Sequence, residues 1–286
     1  MNLEYWYLFP TAIGIATIAM ASGVEGATFF TPLFLIALKL PPEVAIGIGL
    51  ITEVFGFSSG LFAYIRKSLI DFKLGRMLLL VSIPMALLGT WFGNIIPADV
   101  LKGILAVGLF VIATSFLKSP DKHTLELLDE DIKNIQEKKE LQTCITDKNN
   151  KTYYYTIYNG TEGRLLASIG ALFLGMVSTG LGQLNGFYLI QRCRVPSPVA
   201  IATSVFIVAI TALIASIGHV IQFAQAGGEE LQMVLNIVIF TVPGVLMGAQ
   251  LGSIVATKLS QQKLERAMGI LFIFVGLLIV GELAIF

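Results

Sequence analysis

The sequence predicts an all-α, polytopic integral membrane protein made of two inverted-topology repeats, each with a broken-helix pair and three further spans. Three observations support this fold class. Hydrophobic residues make up 55% of the 286 residues and charged residues only 13%, against about 25% charge in an average soluble domain. Apolar runs of membrane-spanning length recur along the chain. Segments of the first part of the chain also recur, in the same order, in the second part.

The apolar segments fall into two groups of five, separated by a polar insert. They lie at about 5–22, 26–38, 43–65, 74–96 and 98–117, and then at about 164–180, 186–191, 197–219, 231–257 and 264–285. The start of the chain, MNLEYWYLFP, lacks the basic region of a cleaved secretory signal, so we expect the first segment to be retained. This division predicts a first transmembrane repeat at 1–117, an insert at 118–163 and a second transmembrane repeat at 164–286.

The insert changes character along its length. It begins with a charged stretch that contains LLDEDIKNIQEKKE and continues with TCITDKNNKTYYYTIY. Two β-prone runs flank DKNN, which is a hairpin signal. We therefore expect a short helix followed by a β-hairpin, in a small appendage that serves either a regulatory role or as a passive linker between the halves.

The distribution of lysine and arginine predicts the orientation. When alternate connections are counted along the chain, only Lys39 and Lys102 of the 19 basic residues fall on one side, and the other 17 fall on the opposite side. Connections rich in lysine and arginine stay in the cytoplasm. We therefore expect a multi-pass protein of the cell (plasma or inner) membrane, with the insert cytoplasmic and both termini outside.

The two halves of the chain match each other in three places. The matches are PPEVAIGIGL (41–50) with PSPVAIATSV (196–205), PMALLGTWFG (84–93) with PGVLMGAQLG (243–252), and LKGILAVGLF (101–110) with LERAMGILFI (264–273). An odd number of crossings in each half, five spans or three spans plus a re-entrant hairpin, would turn the second half upside down. Inverted repeats are typical of secondary transporters, whose sites lie at the repeat interface near the bilayer midplane. A duplicated scaffold without transport is the alternative.

The second apolar segment of each half is too short to span. The segments at 26–38 and 186–191 are shorter than the twenty or so residues of a spanning helix. They follow the glycine-rich stretches SGVEG and STGLGQLNG, and such interrupted pairs in corresponding positions indicate a transporter's site. We expect broken helices to meet at a first tip, residues 22–28, and a second tip, residues 178–187, which face each other from opposite leaflets.

The composition of the tips favours binding of an anion by the backbone. A helix that leaves each tip, from about Ala27 or Gly186, has unpaired N–H groups and the positive end of its dipole at its start. Glycine allows close approach of a ligand, and neither tip contains lysine or arginine. The predicted substrate-binding residues are Ser22, Gly23, Glu25, Gly26, Ala27 and Thr28 in the first tip, and Ser178, Thr179, Gly180, Gln183, Asn185 and Gly186 in the second.

Glu25 and Glu53 are placed within the membrane by the apolar residues around them, and ionisable residues there are usually functional. Glu25 could be protonated and carry a proton with an anion, or stay ionised and balance a cation, or form a structural cap neutralised by tip N–H groups. Glu53 shares a helix face with Gly49, Gly56 and Gly60, a small-residue face that packs closely. It could line the pathway, relay protons or be a packed structural acid. Glu25 and Glu53 are therefore the candidates for proton coupling.

Other classes of protein are disfavoured. The two cysteines have no metal-type spacing, and no His/Asp/Glu cluster or nucleophile–base pair is present at usable spacing. No catalytic residue, metal ligand or cofactor is therefore assigned, and an enzyme is not expected. ATP hydrolysis is not expected either, because G-x4-G-K-[ST] is absent. The expected partners are the lipid bilayer and a small solute, not nucleic acid, and a homo-oligomer is left open.

The motifs also resemble a known family. The stretch VAIGIGL…GLFAYIRKSLIDFKLGR, the later P-x4-G-x3-G and the stretch STGLGQLNGFYLIQRCRVPSPVAIATSVFIVAITALIASIGH are similar to the TauE/SafE sulfite exporter family. The resemblance covers nearly the whole chain except the insert, although the family's first tip is typically a run of glycines where this chain has GVEG. It implies a carrier of sulfite, organosulfonates or related small anions, often an exporter.

Residues and resemblance together predict a secondary-active, proton-coupled transporter of small sulfur oxyanions that works by alternating access around the two tips. One alternative is a cation or metal-ion transporter that uses ionised Glu25 and Glu53. Another is a membrane scaffold that works through the insert.

Overall fold

The computed structural model describes residues 3–22, 25–117, 143–157, 159–255 and 261–285, and these residues are mainly helical. After a short 3-10 turn at Leu3–Tyr5, the helices of the first half are α1 (Leu8–Ser22), α2 (Ala27–Ala37), α3 (Pro42–Arg66), α4 (Phe72–Ile95) and α5 (Ala98–Leu117). Those of the second half are α6 (Gly160–Val177), α7 (Leu181–Gly186), α8 (Ser197–Ala226), α9 (Gly228–Val255) and α10 (Gln261–Ile285). A π-helical turn, Phe187–Arg192, continues α7.

Six of the described helices, namely α3, α4, α5, α8, α9 and α10, are long and apolar enough to cross a bilayer. Their outer surfaces carry large apolar side chains, and Leu80, Val107 and Phe274 are each more than half exposed. Such surfaces are unfavourable in water and match the hydrocarbon core of a membrane. The predicted all-α, multi-pass membrane fold is therefore confirmed.

The second helix of each half is short, as the sequence predicts: α2 has 11 residues and α7 has only 6, both below the length of an ordinary span. The first helices have 15 residues in α1 and 18 in α6. In the second half, α6 begins at Gly160, four residues before the predicted boundary at 164. Its polar first turn is stabilised by an ion pair in which Arg192 Nε lies 2.7 Å from Glu162 Oε1.

Helices of the first half pack mainly against helices of the second. Helix α1 packs against α9, α4 against α6, α5 against α10, and α3 against α8. In the pair formed by α1 and α9, Gly244, Gly248 and Gly252 lie one turn apart on α9. A Cβ atom at any of them would lie 2.5–2.6 Å from a backbone oxygen of α1. The two backbones therefore touch, which is how small residues pack membrane helices.

The pair formed by α4 and α6 is built in the same way. A Cβ atom at Gly89 would collide with the carbonyl group of Leu172, and one at Gly175 would collide with the carbonyl group of Ala86. Each glycine thus lies against the backbone of the other helix. No side chain separates these helices at the contact, so the pair is closely packed.

The described part of the insert is an antiparallel hairpin of β1 (Thr143–Thr146) and β2 (Thr152–Tyr155) around the DKNN turn. The hairpin lies on the connection between α3 and α4. Tyr155 is fully buried and its hydroxyl donates to Asp71 Oδ2 at 2.7 Å, while Lys148 N–H donates to Lys67 O at 3.1 Å. Burial, and then the bond to Asp71, raises the pKa of Tyr155. The predicted short helix lies outside the described residues.

Candidate functional site

The first tip is the break between α1 and α2. Helix α1 ends at Ser22 and α2 begins at Ala27, with Gly26 as its N-cap residue. Gly23 lies outside the described residues. Glu25 immediately precedes the N-cap residue, and its side chain is only 3% exposed. A carboxyl group so far from water requires hydrogen-bond donors if it is ionised.

The second tip turns through two left-handed residues. Ser178 has φ 58 and Gly180 has φ 110, a conformation that glycine adopts without the strain that a side chain causes. Helix α7 then begins at Leu181. The prediction that this helix begins near Gly186 was wrong, because Gly186 has ordinary helical angles, φ -59 and ψ -46, and does not break the helix.

The Glu25 carboxylate joins the two tips. Its Oε2 atom accepts a hydrogen bond from Gly180 N–H at 3.1 Å, and its Oε1 atom accepts one from Gly182 N–H at 2.5 Å. Hydrogen bonds to an ionised acceptor are stronger than neutral ones. The same N–H groups lie at the start of α7, where unpaired donors and the helix dipole favour negative charge. The second tip therefore binds a carboxylate with its backbone.

Two pairs of hydroxyl groups join the tips beside this contact. Thr28 Oγ1 lies 3.1 Å from Thr179 Oγ1, and Thr31 Oγ1 lies 2.6 Å from Ser178 Oγ. All four side chains are buried. Thr31 was missed from the sequence, although its i, i+3 spacing from Thr28 places both on one face of α2. The predicted residues Glu25, Thr28, Ser178, Thr179 and Gly180 are thus brought together.

A cavity of about 180 Å³ opens beside the carboxylate. Its polar wall includes Glu25, Gln183 and Ser204, and the rest is mainly apolar, with Phe57 and Phe116 among the lining residues. Gly182 and Gly186 also line it. The buried Oε1 atom of Gln183 has no hydrogen-bond partner. This cavity is large enough for a small solute.

Asn185 is a predicted residue of α7 that does not line this cavity. Its side chain is 1% exposed, and its Nδ2 atom has no hydrogen-bond partner. It therefore contributes a buried donor group to the second tip without contacting the cavity.

Glu53 lies in a second, adjoining cavity of about 110 Å³, whose wall includes Gly26, Gly56 and Gly60. Glu53 is 2% exposed, and neither of its carboxyl oxygens has a hydrogen-bond partner. The N–H groups of Gly26 and Ala27 are close to it, but they do not form hydrogen bonds of good geometry. The remaining wall is almost entirely apolar.

The two cavities are neighbours, because Phe57, Ile201 and Val205 line both. The carboxyl groups of Glu25 and Glu53 are close enough to interact electrostatically. Among the residues that the structure describes, no three His, Cys, Asp or Glu side chains are grouped in a way that could hold a metal ion. The site thus combines backbone donors, hydroxyl groups and two acids.

The chain is similar to proteins of a known family. Residues 8–279 match the family model described as "Sulfite exporter TauE/SafE". The chain is 23% identical over 241 residues to the probable membrane transporter protein YunE of Bacillus subtilis, covering 84% of this chain and 82% of that protein. It is 24% identical over 269 residues to the probable membrane transporter protein YjnA of the same organism, covering 90% and 92%.

A third relative, the probable membrane transporter protein ORF9 of Sinorhizobium sp, is 32% identical over 115 residues, or 40% of this chain and 43% of that protein. No solved structure gives a significant match. The family match covers most of the chain, and the fold has the spans that a multi-pass membrane protein needs. The chain is therefore a membrane transporter and not an enzyme, and it belongs to the sulfite exporter TauE/SafE family.

Proposed function

We propose that the protein is a secondary-active transporter that exports small sulfur oxyanions, such as sulfite or organosulfonates, together with protons. It works by alternating access around the two tips. The observation that carries this proposal is the pair of N–H groups of Gly180 and Gly182, which already bind the two oxygens of a carboxylate. Two oxygens on one central atom are a feature that carboxylates share with the oxyanions of sulfur.

The neighbouring groups suit an anion of this kind. Thr28 and Thr179 offer hydroxyl groups beside the N–H pair, and Gln183 adds a side-chain amide at the wall of the cavity. Neutral donors such as these can hold an anion without the cost of burying a second fixed charge. The sulfur chemistry rests on the family description and not on the geometry.

Glu53 is the better placed of the two acids for carrying a proton. An ionised carboxylate that accepts no well-aligned hydrogen bond in an apolar cavity is strongly disfavoured, so the neutral acid fits its surroundings. Glu25 has two backbone donors and fits the ionised form. Their proximity means that a change of charge on one affects the other, which would couple anion and proton.

The packing of the helices supports two inverted repeats. The first helix of the first half, α1, packs against α9, and the first helix of the second half, α6, packs against α4. Pro84 of α4 and Pro243 of α9 begin the matching sequence segments. In each case the first helix of one half packs against the fourth helix of the other half. This reciprocal packing is expected if a two-fold axis relates the two halves. In the proposed orientation, the protein lies in the cell membrane with the hairpin in the cytoplasm and both termini outside.

The alternative of a cation transporter suits the geometry less well. A hard cation requires several oxygen ligands, whereas both Glu25 oxygens face N–H donors. Glu53 lies in a cavity whose other wall residues are almost all apolar.

Flux in proteoliposomes tests the proposal. We would screen sulfite, thiosulfate, sulfate and ethanesulfonate with and without a pH gradient, and expect flux of at least one that responds to the gradient. Glu53→Gln should remove that response. Glu43→Gln, the same change in the first turn of the same helix, should retain it. Transport of sodium or a metal ion without any sulfur anion would contradict the proposal, as would an unchanged pH response in Glu53→Gln.

A further inference from the structure

We infer that the Glu25 carboxylate is a tethered occupant of the anion site, which the transported anion must displace from Gly180 and Gly182. This inference rests on the proposed function, since it takes the second tip to be part of the transport site. It assigns Glu25 the role of an internal competitor, distinct from that of a proton carrier that stays beside the substrate.

The hydrogen bonds of the second tip show why displacement is required. A backbone N–H group is a single donor, and both groups donate to Glu25. A Cβ atom at Gly182 would lie only 2.7 Å from Glu25 Oε1, so the carboxylate lies directly against the backbone of α7. An anion in the cavity cannot use these two donors while Glu25 holds them.

A second observation points to a ligand at the same tip. Asn185 is 1% exposed, and its Nδ2 donor has no partner. Gln183, on the same short helix, has a buried Oε1 atom without a partner. Buried polar groups are normally hydrogen-bonded, so the second tip has hydrogen-bonding capacity beyond what Glu25 uses. An anion binds donors, so it would use the amide N–H groups of Gln183, which lines the cavity, and not the Gln183 oxygen. Asn185 Nδ2 does not contact the cavity and would reach an anion only in a rearranged tip.

Charge also favours exchange over joint occupancy. A second negative charge in a cavity beside an ionised Glu25 would be repelled strongly, because the surroundings are largely apolar. When an anion takes the N–H groups, the released Glu25 carboxylate can turn toward water on the open side, where an ionised group is stable. The N–H groups then still hold one negative charge, which now belongs to the anion. Release of the anion reverses the exchange.

The test is binding of sulfite and of acetate to purified protein in nanodiscs. Acetate is an untethered copy of the Glu25 carboxyl group. Glu25→Ala should bind sulfite about tenfold more tightly or better than the wild type, because the strong hydrogen bonds of the competitor no longer have to be broken. It should also bind acetate saturably, whereas the wild type should not. Glu43→Ala, which removes an acid near the beginning of α3, should match the wild type.

The two ligands separate this inference from the proposed function. If Glu25→Ala binds acetate but no form of the protein carries a sulfur anion, the proposed function fails and the role of Glu25 stands. If the wild type carries sulfite but Glu25→Ala binds neither ligand better than the wild type, the role of Glu25 is overturned and the function stands. Should the alanine variant not fold, Glu25→Asp, whose shorter side chain cannot reach both N–H groups equally, should shift both affinities in the same direction. An unchanged Glu25→Asp would overturn the inference.

Discussion

The contact between Gly182 and Glu25 can be tested by adding a single methyl group. A Cβ atom at Gly182 would lie 2.7 Å from Glu25 Oε1, closer than a carbon and an oxygen can approach without a collision. In Gly182→Ala the carboxylate, at the end of a flexible side chain, must therefore shift, which weakens its short hydrogen bond to the N–H group of residue 182. Because Gly182 lies in α7, alanine would otherwise stabilise the helix by about 1 kcal/mol.

The expected size of the effect follows from these two opposing terms. A hydrogen bond to a charged group contributes about 1.5–3 kcal/mol, and the gain in helix propensity offsets about 1 kcal/mol of its loss. Complete loss of this bond would lower the free energy of unfolding by about 0.5–2 kcal/mol, which is the upper limit for the effect of Gly182→Ala. Gly186 is the matched control, because it lies on the same helix and a Cβ atom there meets nothing within 4 Å. Gly186→Ala should be neutral or stabilising.

Unfolding rates at a fixed temperature in detergent provide the measurement, since many membrane proteins unfold irreversibly and a rate is then the meaningful quantity. Gly182→Ala should unfold faster than the wild type and Gly186→Ala no faster. Flux should also fall in Gly182→Ala, with Gly103→Ala on α5 as the control, because a Cβ atom there also has no neighbour within 4 Å. If Gly182→Ala and Gly186→Ala unfolded at the same rate, the proposed contact would not stabilise the tips.

Three further predictions concern the hydroxyl pairs, the hairpin and the orientation. Thr31→Val removes the hydroxyl 2.6 Å from Ser178 Oγ and should lower the free energy of unfolding by about 1 kcal/mol; an unchanged value would show that the pair adds nothing. Because burial and the bond to Asp71 raise the pKa of Tyr155, docking of the hairpin should be complete below about pH 10 and weaken as the pH rises above it. In Tyr155→Phe the hairpin should dock less tightly at neutral pH, and its docking should no longer weaken as the pH rises above about 10. Proteolysis of the hairpin measures docking. Cys144 is exposed, so a membrane-impermeant maleimide should label it in inverted vesicles but not in intact cells, and Cys144→Ser should remove that labelling; labelling of intact cells would place the hairpin outside.

The helices and their breaks were accessible from the sequence because their signals are local. Apolar runs and the residues that interrupt them predicted 26–38, where α2 extends over Ala27–Ala37, and 98–117, where α5 extends over Ala98–Leu117. The hairpin signal around DKNN coincides with β1 and β2. The start of α7 was misplaced because several glycines in the second tip look alike in sequence. Only Gly180, with φ 110, breaks the helix.

The pairing within the site was not accessible, because it depends on contacts between residues far apart in the chain. Glu25 and Gly182 are separated by 157 positions, and no local pattern states which donors a buried acid will find. The sequence left three roles open for Glu25. Its hydrogen bonds to Gly180 and Gly182 are those expected for the third role, a cap neutralised by the N–H groups of a tip. Thr31 was missed because a threonine in an apolar helix often bonds only to its own backbone.

The contacts between the halves differ in how easily they can be broken, and this difference bears on the proposed mechanism. Helices α1 and α9 touch through backbone atoms, as do α4 and α6, and water or a solute cannot replace contacts of that kind. The contacts between the tips are hydrogen bonds of Glu25 and of threonine and serine hydroxyls, and either water or an anion can replace these bonds. The first tip begins at the end of α1, which packs closely against α9. The second tip begins at the end of α6, which packs closely against α4. Alternating access would therefore move one pair against the other, each containing helices of both sequence halves, and would separate the tips where an arriving anion can take over their hydrogen bonds.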